Sequence, residues 1–272
     1  MTLTRETITW EQAVGWLRAQ PNQAALVRAC YFDDPLVDAA RRFHESLEWR
    51  AVRDFLPASC GMALDVGAGR GIASFALAAD GWRVTALEPD PSRLVGAGAI
   101  RELASQAAVN ITVVEEWGEK LPFEDGSFDL IHARQVLHHA RDLEALCQEL
   151  TRVLKPKGML IATREHVIDK PEDLPVFLDS HPLHHLYGGE NAYTRKRYLG
   201  AFEDAGLRMR HVLSPWETPV NYFPMTELDV RRAVSNKLRF PFPALLPAAL
   251  ICWVSKRLRS PGRLYSFVGV KL

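Results

Sequence analysis

The sequence predicts a doubly wound α/β fold on a mostly parallel sheet of seven strands. Three observations carry this. From Met62 onward, short apolar runs alternate with helical stretches. A glycine-rich turn separates the first run from its helix, and no strand signal precedes Met62. Residues 1–57 therefore read as an N-terminal helical segment and 58–272 as one main domain.

Within the first segment Trp10, Val14 and Leu17 fall at helical spacing, and Pro21 ends the run. From about Pro35 to Phe55 a second helical stretch would place Leu36, Ala39, Ala40, Phe43, Leu47 and Val52 on one face. The strands are expected at Met62–Val66, Arg83–Leu87, Asn110–Glu115, Phe128–His132, Met159–Thr163, Leu207–Leu213 and Arg263–Lys271. Helices are expected at Ile72–Asp80, Ser92–Ser105, Asp142–Leu154 and Tyr193–Ala205, with Gly81 and Gly206 as stops. The final strand is expected to run antiparallel, at or near the edge.

Composition narrows the function. A chain of 272 residues that is 47% hydrophobic can bury one large core, with little left for a second full domain. Lys plus Arg and Asp plus Glu both number 33, so no net field draws in nucleic acid, and none is expected as a partner. Cys30, Cys60, Cys147 and Cys252 lie far apart without a CxxC pair and read as reduced thiols of a cytoplasmic protein. The N-terminus has no signal-type apolar core, and no apolar run reaches the roughly 20 residues a membrane span needs.

The sharpest local signal is Leu64-Asp65-Val66-Gly67-Ala68-Gly69-Arg70-Gly71, between the first strand and its helix. Glycines let the chain turn tightly and let a ligand lie on bare backbone, while the helix behind offers free N–H groups. About 20 residues on, Glu88 closes the second strand, where a carboxylate accepts hydrogen bonds from ribose hydroxyls. The glycines form GxGxG, not the GxGxxG of dinucleotide folds, which argues against an NAD-dependent oxidoreductase.

With Leu87-Glu88-Pro89, Glu119-Lys120-Leu121-Pro122-Phe123, Gly126-Ser127-Phe128-Asp129, Val136-Leu137-His138-His139 and Arg152-Val153-Leu154-Lys155-Pro156-Lys157-Gly158, the loop completes a resemblance. From about Met62 to Thr163 the chain resembles the class I S-adenosylmethionine (SAM)-dependent methyltransferases. The similar branch includes ubiquinone- and menaquinone-biosynthesis, sugar and small-molecule methyltransferases. The resemblance implies a Rossmann-like fold, SAM as cofactor and a small-molecule acceptor. It implies that Gly67, Ala68, Gly69 and Gly71 pass under the methionine portion and that Asp65 anchors their loop. Glu88 would hold the ribose with Pro89 beside the adenine, and Ala133 and Arg134 would lie near the methionine end. Family members commonly carry an aspartate just before the LPF segment; here the chain reads Glu116-Trp117-Gly118-Glu119. Two arrangements stay open: Trp117 stacks on the adenine while Gly118 gives its N–H, or Glu116 takes the amino group.

In an open α/β sheet the reaction takes place beyond the carboxyl ends of the strands. There the chain has Arg164-Glu165-His166 and the histidine-rich stretch Asp179–Asn191. A hydroxyl acceptor benefits from a base near neutral pKa, and histidine suits that task. His166, directly after a strand end, is the first candidate, followed by His181, His184 and His185. Glu165 and Glu190 are the candidate orienting carboxylates. His138 and His139 read as structural or cofactor-lining, with no carboxylate at ligand spacing. The HxxHH spacing lacks the HExxH pattern of zinc helices, so no metal is expected.

The resulting expectation is an O-methyltransferase of a small-molecule, sugar or lipid-linked metabolite. C- or N-methylation, or SAM binding without catalysis, is the alternative. The N-terminal helices, carrying Tyr31, Phe32, Trp49 and Arg50, are expected to form a lid. About 50 residues, Pro215 to Gly262, separate the last two strands, where family members have a short turn. The apolar part, 240–254, has basic flanks and Trp253, which suits a pocket lid, a homodimer contact or peripheral contact at the inner membrane face.

Overall fold

β1 (Met62–Val66) is the centre of the sheet because both of its faces are apolar: Ala63, Leu64 and Val66 are all buried. The other strands are β2 (Arg83–Leu87), β3 (Ile111–Val114), β4 (Phe128–Arg134), β5 (Leu154–Ile168), β6 (Tyr193–Thr194), β7 (Leu207–Leu213) and β8 (Arg263–Lys271). The computed structural model describes residues 8–181 and 183–272. Residues 1–7 of the N-terminal segment and Pro182 of the histidine-rich stretch lie outside the described residues.

The strand order is β3-β2-β1-β4-β5-β8-β7, with β6 added beside β5. β1 pairs in parallel with both β2 and β4, so the connection order reverses at β1 and opens a crevice there. β8 is antiparallel to both β5 and β7 and lies one strand in from the edge, as expected. The expected seven strands become eight only through the two-residue β6.

β5 is the main departure. It runs on past Thr163 to Ile168, because a register shift between Ala162 and Glu165 is absorbed by Arg164 at φ +60°. His166 therefore lies inside β5, paired with Leu264 of β8, and does not follow the strand end.

Helices cover both faces of the sheet. On one face Ile72–Ala79 and Ala97–Ala107 share a core with the N-terminal helices Leu36–His44 and Leu47–Arg53. On the other, Leu143–Val153 and Arg195–Asp204 pack over β4, β5 and β8. Leu36, Ala39, Ala40, Phe43 and Val52 are buried as expected, but Leu47 is 44% exposed and Trp49 is fully buried instead. Ser46 explains the shift. It caps a new helix by accepting the Trp49 N–H at 3.0 Å, and the break resets the helical phase. Trp49 then lies 5.8 Å from the His132 ring, as core and not lid.

The long connection before β8 folds into helices at Pro219–Tyr222, Glu227–Leu238 and Ala248–Ser255. Val230, Val234, Leu246, Ile251 and Val254 give it a small core of its own. Phe242, Leu245 and Trp253 stay exposed, and Arg257 lies over the Trp253 ring at 3.9 Å. Among the described residues no helix is long and apolar enough to cross a membrane.

Candidate active site

A cavity of about 760 Å³ opens where the sheet order reverses, and one continuous wall joins the glycine loop to the histidine-rich stretch. Asp65 fixes the loop's base. Its carboxylate accepts from Ser74 Oγ at 2.6 Å and pairs with His132 Nδ1 at 2.9 Å, tying β1 to the following helix and to β4. Gly67 and Gly69 both take positive φ, +58° and +54°. A Cβ on Gly67 would meet the Val136 side chain at 2.7 Å, while one on Gly69 would meet nothing closer than Val95 O at 3.8 Å. Gly69 thus gives the cavity a stretch of bare backbone.

Glu88 sits at the end of β2 on the same wall. Oε2 accepts the Gly69 N–H at 2.7 Å and Oε1 the Asp90 N–H at 3.0 Å. Burial pushes its carboxyl up to about 7, against the pull of those two N–H groups. Pro89, Ala68, Glu116, Trp117 and Gly118 also line the cavity. Trp117 is 60% exposed, with the Arg141 guanidinium 5.2 Å from its ring centre. Ala133 does not line the wall; it is buried in β4, paired with Val66. A bare-backbone turn beside a buried, strand-end carboxylate fits the amino-acid end and the ribose of SAM.

Arg134 reaches the cavity but is committed to a partner. Its guanidinium pairs with Glu48 at 2.7 Å, and Arg164 stands 3.8 Å from the same carboxylate. Burial alone would push Glu48 up; Arg134 and Arg164 hold it below the usual range. Arg70, also buried, donates from the glycine loop to Tyr31 O and Asp33 O, both at 2.9 Å, and to Asp34 at 2.5 Å. These two arginines bind the N-terminal segment to the cofactor wall. Nothing in the sequence pattern singled out Glu48, because its partners lie in β4 and β5.

At the far end of the cavity the chain collects His138, His166, His181 and Glu190. Glu165, fully buried, accepts the backbone N–H groups of Val136, Leu137 and His138 at 3.0, 3.2 and 3.0 Å. It also pairs with His138 Nδ1 at 2.6 Å. Burial raises the Glu165 carboxyl, and the three N–H groups oppose the rise. So His138 has carboxylate partners, contrary to the sequence reading: Glu165 at 2.6 Å and Glu190 at 3.8 Å. Sequence spacing shows only neighbours along one helix, and these carboxylates arrive from β5 and from a loop.

His166 Nδ1 donates to Gly262 O at 2.8 Å. Burial and the nearby His138 ring push His166 down to about 3, and burial with the neighbouring His139 pushes His138 well below the ordinary histidine value. That shift makes the neutral His166 imidazole a weak base near neutrality. His181 is lowered less severely and lies 3.7 Å from Glu190. Glu190 also accepts from Tyr187 Oη at 2.5 Å. The structure brings His166 and His181 together but leaves out His184 and His185, which do not line the cavity. They sit on the one-turn helix His184–Tyr187, whose cavity face is taken by Leu183 and Tyr187, four residues apart.

Trp10, Tyr31 and Phe32 close the cavity from the N-terminal side, with the Trp10 ring 4.7 Å from that of Tyr187 and tilted against it. Arg50 is exposed and takes no part in that wall. The connection before β8 does not line the cavity and reaches it only through Gly262, so it is not the expected pocket lid.

This sheet order, with a glycine turn after β1 and an acidic end to β2, defines a Rossmann-like nucleotide-cofactor protein. A methyltransferase-domain family model matches residues 64–162. An uncharacterized Escherichia coli protein, YafE, is 26% identical over 161 residues, 59% of this chain and 63% of its own length. The chain thus spans under two thirds of that relative. A ubiquinone biosynthesis O-methyltransferase of Pseudomonas paraeruginosa is 28% identical over 64% of this chain and 77% of its own. Among solved structures, a geranyl diphosphate C-methyltransferase of Streptomyces coelicolor aligns with a TM-score of 0.58 at 16% identity, covering 89% of this chain and 87% of its own. Residues 64–162 thus match a methyltransferase domain, and these similarities support a class I SAM-dependent methyltransferase with SAM as its cofactor.

Proposed function

We propose that the protein is an O-methyltransferase acting on a small-molecule, sugar or lipid-linked acceptor. One observation carries this reading: a single cavity runs from Gly69 and Glu88 to His138, His166, His181 and Glu190. When bound, SAM supplies a methyl group on a sulfonium, which is already a good leaving group, so the protein's task is mainly to position the acceptor. Gly69 offers bare backbone and Glu88 a carboxylate for the cofactor. Trp10, Tyr31 and Phe32 exclude water above it, and we assign them the role of lid. His181, which lines the cavity 3.7 Å from Glu190, takes the acceptor's proton, with Glu190 beside it to hold the charge.

The aromatic wall of Trp10, Tyr31 and Phe32 favours a second reading, methylation at carbon of an apolar acceptor. Labelled methyl transfer from SAM to a panel of lipids, sugars and phenols, with the product's new bond located by NMR, separates the two. No transfer to any of them, with SAM binding intact, would support a SAM-binding protein without catalysis.

For the connection before β8 we propose contact with an anionic membrane surface. Phe242, Leu245 and Trp253 are each exposed, Lys237, Arg239, Lys256 and Arg257 flank them in sequence, and Arg257 lies over the Trp253 ring. An exposed apolar face of this kind in water is costly unless something covers it.

A further inference from the structure

We propose that His138, His166 and Glu190 form a site for a divalent transition metal ion, with its open position facing the cavity. The inference deepens the proposed function, because the open position would take an oxygen of the acceptor.

The three side chains each offer one ligand atom, and these atoms lie within 4.8 Å of one another. His138 Nε2 and Glu190 Oε2 are 3.8 Å apart, against the about 3.3 Å between neighbouring ligands of a tetrahedral zinc-sized ion. Small rotations of side chains close that gap.

The hydrogen bonds behind these groups point the same way. His166 Nδ1 faces a carbonyl, which only accepts, so Nδ1 carries the proton and Nε2 keeps a lone pair. His138 Nδ1 faces the Glu165 carboxylate, itself held by three backbone N–H groups, which again leaves Nε2 with the lone pair. Glu190 is braced by the Tyr187 hydroxyl on one oxygen, leaving Oε2 toward His138. Metal-binding histidines characteristically give their second ring N–H to a carboxylate or a backbone carbonyl, and here both versions occur side by side.

Two imidazole lone pairs and a carboxylate thus converge in a buried place. Their mutual repulsion calls for a cation or for donors at the centre. A divalent ion satisfies all three at once. Two nitrogens and one oxygen suit a borderline ion such as Zn(II), Fe(II) or Co(II) better than Mg(II) or Ca(II), which favour all-oxygen sites. Three protein ligands leave a position for an exogenous oxygen, as in catalytic rather than structural sites. His181, whose Nδ1 is buried without a hydrogen-bond partner, stands beside the site and can accept the proton of that oxygen's O–H.

The test uses the full chain, dialysed against a chelator and titrated with Co(II) and Zn(II), with SAM affinity measured in parallel by calorimetry. One ion per chain should bind at micromolar or lower Kd, with the intense visible bands of tetrahedral Co(II). His138→Ala and His166→Ala should each abolish those bands. Glu165→Gln, which removes only the brace behind His138, should weaken binding by about tenfold to a hundredfold. His184→Asn with His185→Asn, off the cavity wall, should leave it unchanged. All variants should keep parental SAM affinity, which shows that they fold. Absence of metal binding by a parent protein that binds SAM overturns the inference. So does binding that persists in the His138→Ala, His166→Ala double variant. Metal binding without methyl transfer would leave the site standing and count against the proposed function.

Discussion

The backbone N–H of Gly69 donates to Oε2 of Glu88 across 2.7 Å and so joins the turn after β1 to the end of β2. The two groups expected to hold opposite ends of the cofactor are in direct contact, and the carboxylate is buried deeply enough to titrate near neutrality.

SAM affinity should therefore depend on pH. Burial holds the Glu88 carboxyl at about 7 against its usual 4.5. Between those values the folded protein keeps a proton that the unfolded chain has lost. The free protein loses stability as pH rises through that window, by roughly 3 kcal/mol in all. Ribose hydroxyls donate to the ionised form, so affinity should rise up to about tenfold per pH unit below 7 and flatten above it. Calorimetry across that range checks this; a flat profile would remove Glu88 from the cofactor site. Glu88→Gln should weaken SAM by about 1–3 kcal/mol and make the free protein more stable at alkaline pH.

Gly69→Ala is the cleaner test of the glycine loop. A side chain at Gly67 strikes Val136 and would disturb the fold itself, whereas a methyl on Gly69 meets open space. Its positive φ should cost about 1–2 kcal/mol of stability. SAM affinity should fall by at least about tenfold, or some 1.4 kcal/mol. A variant that melts slightly lower yet binds SAM like the parent places the cofactor elsewhere.

Trp10→Ala tests the lid. Trp10 meets Phe32 and Tyr187 at the cavity mouth and packs on the small cluster of Leu17, Val27 and Leu183, apart from the main core. The acceptor KM should rise by about tenfold, equal to some 1.4 kcal/mol, with SAM affinity held. Deleting everything before Asp54 would be uninformative, since Phe43 and Trp49 belong to the main core. Unchanged kinetics in Trp10→Ala would count against a lid.

Glu48→Gln should destabilise the protein by about 3–5 kcal/mol, because it leaves Arg134 and Arg164 buried without their counter-charge. Urea unfolding of the variant measures this directly. A loss below about 1 kcal/mol would mean that water reaches both guanidinium groups.

Binding to anionic vesicles should fall with salt and with Leu245→Asp or Trp253→Asp, both exposed, with no change in melting temperature. Leu246→Asp is unsuitable, since Leu246 is buried in the small core. Co-sedimentation provides the readout. A vesicle-free protein whose dimer dissociates on the same substitutions would turn this face into a subunit contact.

The sheet was legible wherever a strand was apolar on both faces and ended in a turn. β1 and β2 lie where the sequence puts them, and the helix after the loop ends one residue earlier than expected. The meeting of Gly69 with Glu88 on one cavity wall was legible because glycine turn and acid are separated by a characteristic spacing. β5 was underestimated because Arg164-Glu165-His166 looks like a polar turn; Glu165 is buried only because three backbone N–H groups reach it from the segment after β4. The N-terminal stretch lost its phase at Ser46, which reads equally well as a surface residue or a cap. His138, Glu165 and Glu190 are far apart in sequence, and no local period brings them together.

The pairing of Glu48 with Arg134 and Arg164 also has a consequence in time. The span from position 48 to position 164 is 116 residues, and at roughly 5–20 residues per second it takes some 6–23 s to synthesise. Until then Glu48 lacks its second guanidinium partner, and the helix Leu47–Arg53 is held only by groups made earlier, among them Asp80 beside Trp49 and Arg134 beside Glu48. The segment made earlier is thus among the last to be secured. During synthesis its apolar face stays open to chaperones, or to the same face on a neighbouring nascent chain.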